Sequence, residues 1–323
     1  MDRRRFLQCA ASGMAVLATP RVAHAQQYPT KLIRYFVGFP PGGSADLTMR
    51  QYAYHLNAAL GAKHVIENVP GASSTLAALP VVRGEPDGHT LYLGSNTSQT
   101  IAPAMLKLSY DPLTALLPIS QMTSNASVVA ISKDFGVKTW AEFVTKANVG
   151  NESVFCGTSN VGFQIPMFQI SKLSGVKLEN VPFKGGAETV AAVLGGSIPM
   201  VLGTPPSILP HVESGALVAL CVTTPQRSSV MPTIPGAEEV GLTGLHSTNW
   251  FGLYAPAKTP PPIIKKLHAA IQSVMKQDAL QKALAQEGMS LAGSDNPATF
   301  AAFQKTDFEE TSALIREAGL KPN

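Results

Sequence analysis

The sequence predicts an α/β protein of two lobes, each built on a parallel sheet, with two crossovers between them. Three observations carry the prediction. The chain has 323 residues, too many for one small core and enough for two. Short β-rich runs alternate with helical patterns, the signature of parallel strands joined by crossover helices. No internal repeat, low-complexity tract or flexible linker interrupts this alternation, so strands must carry the chain from one lobe to the other. Composition agrees with a packed protein: charged residues are 14%, hydrophobic residues 45%, against a usual charged share of about 25%.

The elements follow in order. Leu32 to Val37 predicts the first strand, and Pro40-Pro41-Gly42-Gly43 breaks it. A helix is expected from about Ala45 to Leu60. Val65-Ile66 predicts a second strand and Thr90 to Gly94 a third. Val128 to Ser132, Val154 to Gly157, Met200 to Gly203 and Leu217 to Val222 continue the series. Thr139-Trp140-Ala141-Glu142 has the form of a capping box, with Thr139 as N-cap and Glu142 at N3. Ile264, Leu267, Ile271 and Val274 recur at helical spacing and predict one buried face. Asn296 starts a long last helix from Pro297 to Ala318, whose Phe300, Phe303, Phe308 and Ile315 mark an inner face less regularly. The expected lobes are 26–125 plus 251–323, and 126–250.

The first 25 residues read as a targeting segment. Arg3-Arg4 within Asp2-Arg3-Arg4-Arg5-Phe6-Leu7-Gln8 resembles a twin-arginine signal, with a general secretory signal as the alternative. An apolar stretch from Cys9 to Ala18 follows, and Ala23-His24-Ala25 fits a signal-peptidase site. The apolar stretch is too short to span about 30 Å of hydrocarbon. The expectation is an exported chain beginning near Gln26. Removing residues 1–25 takes four Arg and one Asp from 25 basic and 21 acidic residues, leaving 21 and 20. No basic stripe remains for nucleic acid or a membrane surface. Cys156 and Cys221 then remain; export permits a disulfide, but both lie in strand-like runs, which favours two free buried thiols.

Several strand-to-helix junctions share one chemistry. Pro41, Gly42, Gly43, Ser44 and Asp46 follow the first strand. Asn96 and Thr97 follow the third. Thr158, Ser159 and Asn160 follow another, and Gly185, Gly186 and Ala187 open a further helix. Small residues let a ligand approach the backbone, and free amides at helix N-termini favour an anion. Ligands of open α/β sheets bind outside the carboxyl ends of the strands. The same residues are also ordinary turn formers, and Asp46 fits equally as a helix cap. Catalytic patterns are missing from the sequence: no HExxH, GxxxxGK, GxGxxG or GxSxG. His55, His64, His89, His211, His246 and His268 form no i, i+4 pair, and none sits near a Cys at zinc spacing. No cofactor or metal is expected.

From about Tyr28 to Gly319 the chain resembles the solute-binding receptors of tripartite tricarboxylate transporters, the Bug-type receptors. The resemblance is carried by Phe39-Pro40-Pro41-Gly42-Gly43 with Asp46, Glu67-Asn68-Val69-Pro70-Gly71-Ala72, Pro86-Asp87-Gly88-His89-Thr90-Leu91 and Val181-Pro182-Phe183-Lys184-Gly185. Gly195-Gly196, Arg227, Pro232-Thr233-Ile234-Pro235, Trp250-Phe251-Gly252 and Ala255-Pro256 continue it in order. It implies a two-lobed, type II-like periplasmic-binding-protein fold and no catalysis. A small organic acid would sit in the interlobe cleft, held by backbone amides and waters, for delivery to a membrane permease. The site it implies comprises the junction residues above with Gln164 and Thr204, on a monomer. Gln164 stands where the family usually has His, and Phe163 beside it either adds apolar bulk to the cleft or packs beneath the helix. Two rival functions remain: presentation of the ligand to a membrane sensor kinase, or hydrolysis in the same cleft by an exported enzyme.

Overall fold

A computed structural model describes residues 28–149 and 152–320. The targeting segment and its cleavage site lie outside the described residues. The strands are β1 (Ile33–Val37), β2 (His64–Asn68), β3 (Thr90–Ser95), β4 (Leu116–Ala126), β5 (Val128–Ser132), β6 (Val154–Thr158), β7 (Leu178–Pro182), β8 (Met200–Gly203), β9 (Leu217–Val222), β10 (Thr248–Pro256) and β11 (Ser290–Leu291). The longer helices are α1 (Ser44–Leu60), α2 (Trp140–Val149), α3 (Gln164–Ser174), α4 (Gly186–Leu194), α5 (Pro205–Glu213), α6 (Pro261–Met275), α7 (Asp278–Gln286) and α8 (Pro297–Glu317).

The strands form a six-stranded sheet, β11-β4-β10-β3-β1-β2, and a five-stranded sheet, β7-β6-β8-β5-β9. Each sheet with its helices packs around its own core and forms one lobe. Both sheets are mixed, parallel over three neighbouring strands as expected but with antiparallel strands beside them. β1 pairs in parallel with β2 and β3, and β6 with β7 and β8, but β10 runs against β3 and β4, and β5 against β8 and β9. The reason lies in the crossovers. β4 leaves the first lobe at its carboxyl end and passes through Ser127 straight into β5. β5 therefore enters the second lobe at the end where that lobe's own strands finish. β10 repeats this on the return. The crossovers are tied together: the Ser127 amide donates to Thr223 Oγ1 at 2.9 Å, the Thr223 amide to Ser127 O at 3.0 Å, and Asn249 Nδ2 to Ser127 Oγ at 2.8 Å.

Three helices show how sequence becomes packing. Ile264, Leu267, Ile271 and Val274 of α6 are all buried against the first sheet, as their spacing predicts. Full burial of one such side chain contributes roughly 1.5–3 kcal/mol. In α2 the Glu142 amide donates to Thr139 Oγ1 at 3.2 Å, while the Glu142 carboxylate accepts from the Lys138 amide at 2.7 Å, one residue earlier than a strict capping box. In α8, Asn296 caps the Thr299 amide at 3.0 Å. Phe300 and Ile315 are buried, but Phe303 is exposed. That face is irregular because it also covers polar partners: Trp250 Nε1 donates to Asp307 Oδ2 at 3.1 Å, and Tyr254 Oη to Gln304 Oε1 at 3.1 Å. Cys156 and Cys221 are free and buried, and burial pushes both thiols up to about 12. β8 and β5 stand between their strands; three strand spacings of about 4.8 Å each put them beyond disulfide reach.

Candidate functional site

The first-lobe side of the cleft is built where β1 turns into α1. Gly42 sits at φ +82°, a left-handed conformation that glycine adopts without strain. Its amide donates to Asp46 Oδ2 at 3.0 Å. The same oxygen accepts from Arg50 Nε at 2.8 Å, and Asp46 Oδ1 accepts from Asn68 Nδ2 at 2.9 Å; Asn68 Nδ2 also reaches Phe39 O at 3.0 Å. Asp46 is 2% exposed. Burial pushes its pKa up, but the Arg50 guanidinium and the Gly42 and Asn68 amides outweigh burial and hold it below the usual carboxylate range. Asp46, expected at the ligand, is thus fully engaged in bracing the loop and is absent from the cavity wall. α1 begins at Gly43 with no side-chain cap, and its first intrahelical donor is the Leu47 amide. The amides of Ser44 and Ala45 therefore have no helical partner. Ser44 Oγ, buried at the cavity wall, has no hydrogen-bond partner either. Buried hydroxyls are rarely left so, and this one invites a ligand or a water.

The second lobe answers with α4. Its N-cap is Gly185, again without a side-chain cap, and the first intrahelical donor is the Thr189 amide, to Gly185 O at 3.1 Å. The Gly186 and Ala187 amides are left over. Glu188 accepts from the Lys184 amide at 3.0 Å on the exposed side of this turn. Gly186 permits close packing of α4 on α5: a Cβ there would lie 2.2 Å from Ser207 Oγ. Asn160 shapes the remaining junction, its Oδ1 accepting from the Gly162 amide at 2.8 Å and from Thr97 Oγ1 of the other lobe at 3.2 Å.

These elements enclose a cavity of about 630 Å³ between the sheets, within the ~300–1,000 Å³ typical of small-molecule sites. Pro41, Gly42, Gly43, Ser44, Asn96, Thr97, Ser159, Asn160, Gly185, Gly186, Ala187 and Thr204 line it. Thr158 and Gln164 stand outside. The Thr158 hydroxyl is buried and donates to Asn180 Oδ1 at 2.7 Å, and Gln164 opens α3 half-buried, off the wall. Phe163 is 1% exposed within the second-lobe core, so it packs beneath the helix and adds nothing to the cleft. Sequence reasoning did not place Phe39, Glu188, Val190, Ala191, Leu194, Pro206, Ser207, His211, Asn249 and Phe251 at the lining. Only α4 held a sign of its share, since 186, 187, 190, 191 and 194 fall on one helical face.

The lobes touch around this cavity. A Cβ on Gly185 would lie 3.3 Å from Pro40 Cγ. Ile101, Met105 and Ile315 of the first lobe cluster with Ile165 of the second, and Lys172 of α3 pairs with Glu317 of α8. Among the described residues there is no group of His, Cys, Asp and Glu able to hold a metal ion, and no helix is long and apolar enough to cross a membrane.

Comparison with known proteins places these features in context. The family model described as "Tripartite tricarboxylate transporter family receptor" matches residues 48–320. A UPF0065 protein from the gbd 5′ region of Cupriavidus necator is 30% identical, over 99% of each chain. A solved structure described as a periplasmic transporter superposes with a TM-score of 0.85 at 29% identity, covering 91% of this chain and 99% of the other. MatC from Rhodopseudomonas palustris, solved with bound malate, superposes with a TM-score of 0.81 at 26% identity, covering 89% of this chain and all of the other.

Proposed function

Because the chain belongs to the tripartite tricarboxylate transporter receptor family, we propose that it captures a small organic carboxylate in the interlobe cleft and delivers it to the family's membrane permease. The observation that carries this reading is the pair of uncapped helix N-termini, α1 from one lobe and α4 from the other, at the wall of one cavity. Each presents partner-free amides and a partial positive charge of about half a unit. A carboxylate between them satisfies donors from both lobes at once, and the unpartnered Ser44 Oγ adds a third kind of donor. Each contact contributes about 0.5–1.5 kcal/mol, more when charge-assisted.

Binding that uses both lobes favours the closed arrangement over an open one, because only the closed arrangement brings α1 and α4 to the same ligand. The Thr97–Asn160 bond and the Ile101–Ile165 cluster form in that arrangement. The permease then reads closure. The malate-bound relative supports a small acid as cargo, and we propose binding without turnover, by a chain exported to the periplasm with its N-terminus near Gln26.

Native mass spectrometry of the purified protein, with release and identification of whatever it carries, tests this reading. A carboxylic acid recovered chemically unchanged after prolonged incubation is expected. A cargo without an acidic group, or an acid converted to a product, contradicts it.

A further inference from the structure

The fixed charges around the cleft cancel in pairs. Asp46 is bound by Arg50, and the charged side chains at the wall besides His211 are Lys184 and Glu188, one of each sign. Two free helix N-termini remain, each equivalent to about half a positive charge, so the field sums to about one charge. The other helix openings add little. α5 starts with Pro205 and Pro206, which have no N–H to offer, and the Ser98 amide is taken by Ser95 Oγ.

The cavity also changes character along α4. Its lining begins at Gly186 and Ala187 and continues through Val190 and Ala191 to Leu194, eight residues or about 12 Å of helix beyond Gly186. Pro206 of α5 and the Phe39–Phe251 pair of the first lobe, packed edge to face at 6.2 Å, add further apolar wall. Leu194 is 44% exposed, an apolar side chain that a ligand lying along α4 would cover. No Arg or Lys stands at the Leu194 end, and the carbonyls ending α4 make it the negative pole of the helix. A second carboxylate there would lose water and find neither Arg nor Lys, with the His211 imidazole as the one basic group at the wall besides Lys184.

We infer that the cargo is a monoanionic acid with an apolar body, its carboxylate between the N-termini of α1 and α4 and its body laid along α4 to Leu194. The inference rests on the carboxylate-receptor reading and narrows it. The amides fix the head, and the wall of Val190, Leu194 and Pro206 rewards an aliphatic chain or an aromatic ring over a second charge.

Calorimetry on the ligand-stripped wild-type protein, with hexanoate and phenylacetate set against malate and adipate, tests it. The monoacids are expected to bind at least tenfold more tightly than either diacid. Leu194→Arg places a cation at the outer end of an exposed helix terminus, where folding is undisturbed. It should weaken the monoacids at least fivefold and strengthen adipate at least fivefold, whereas Leu194→Gln should only weaken the monoacids. If malate or adipate binds wild type as tightly as the monoacids, the inference fails while carboxylate capture stands. If none of the four acids binds, or Leu194→Arg leaves all affinities unchanged, the apolar-body account falls. In the first of those cases identification of the co-purified cargo decides whether carboxylate capture falls with it.

Discussion

The two lobes offer the cleft the same device, an uncapped helix N-terminus, but support it differently. In the first lobe the turn before α1 is braced from below: buried Asp46 ties Gly42, Arg50 and Asn68 together, and Asn68 reaches back to Phe39 O. In the second lobe the turn before α4 has the Lys184 amide on Glu188 at the exposed surface and the Thr189 hydroxyl on Gly185 O at 2.9 Å, with no buried charge beneath it, and its shape follows from α4 packing through Gly186 onto Ser207. The first-lobe turn is therefore held in shape before any ligand arrives. The second lobe presents side chains, Val190 and Leu194 among them, to the cavity, where we propose they meet the rest of the ligand. On the proposed reading both N-termini hold the carboxylate, and the second lobe's side chains add discrimination among acids.

The largest test of this contrast removes the brace. Asp46→Ala strands the Gly42 and Asn68 donors and should lower stability by about 2–4 kcal/mol. Glu188→Ala in the other turn should stay within about 0.5 kcal/mol. Chemical denaturation reads both, and equal losses would erase the contrast. Next come the glycines. A Cβ at Gly43 meets nothing nearer than Pro40 O at 3.8 Å, so Gly43→Val should fold as wild type yet bind at least a hundredfold more weakly, about 2.7 kcal/mol. At Gly186 the added Cβ strikes Ser207, so Gly186→Val should lose binding and melting temperature together. Calorimetry paired with thermal melts separates the two cases.

A smaller effect concerns acid. The folded-state pKa of Asp46 lies below its ordinary value of 3.8. Its contribution to stability is therefore complete above that value and is lost as pH falls from there through the depressed folded value. Acid titration followed by circular dichroism should show this loss in wild type and not in Asp46→Asn. The smallest effect is at Lys184. If backbone amides carry the charge, Lys184→Ala should weaken binding less than tenfold, below about 1.4 kcal/mol. A larger loss would give the second lobe a direct ion pair and make it the anion-binding half.

The sequence made the turns legible because turn chemistry is local. Pro41-Gly42-Gly43 and Lys184-Gly185-Gly186 announce backbone exposure whatever surrounds them, and both reached the cavity wall. It hid what depends on distant partners. Asp46 looks the same in sequence whether it meets a ligand or Arg50 and Asn68. β4 and β10 were missed because their polar residues are buried: Ser120, Thr123 and Asn249 face neighbours from other segments, and Gly252 is enforced by Phe300, which a Cβ would approach to 2.2 Å. The reversal of β5 and β10 follows from the crossovers, which no residue type encodes. His211 lies within α5, where facing a cavity leaves no mark distinct from facing a core.

The central claim is that amides from both lobes hold one carboxylate. Amide proton shifts in two-dimensional NMR test it most directly, recorded on the labelled protein with and without its identified cargo. Hydrogen bonding to a carboxylate should move the Ser44, Ala45, Gly186 and Ala187 amide protons downfield together, saturating at one shared ligand concentration. Perturbation confined to one lobe, or to residues around Lys184 with the Ser44 and Gly186 amides unmoved, would contradict it.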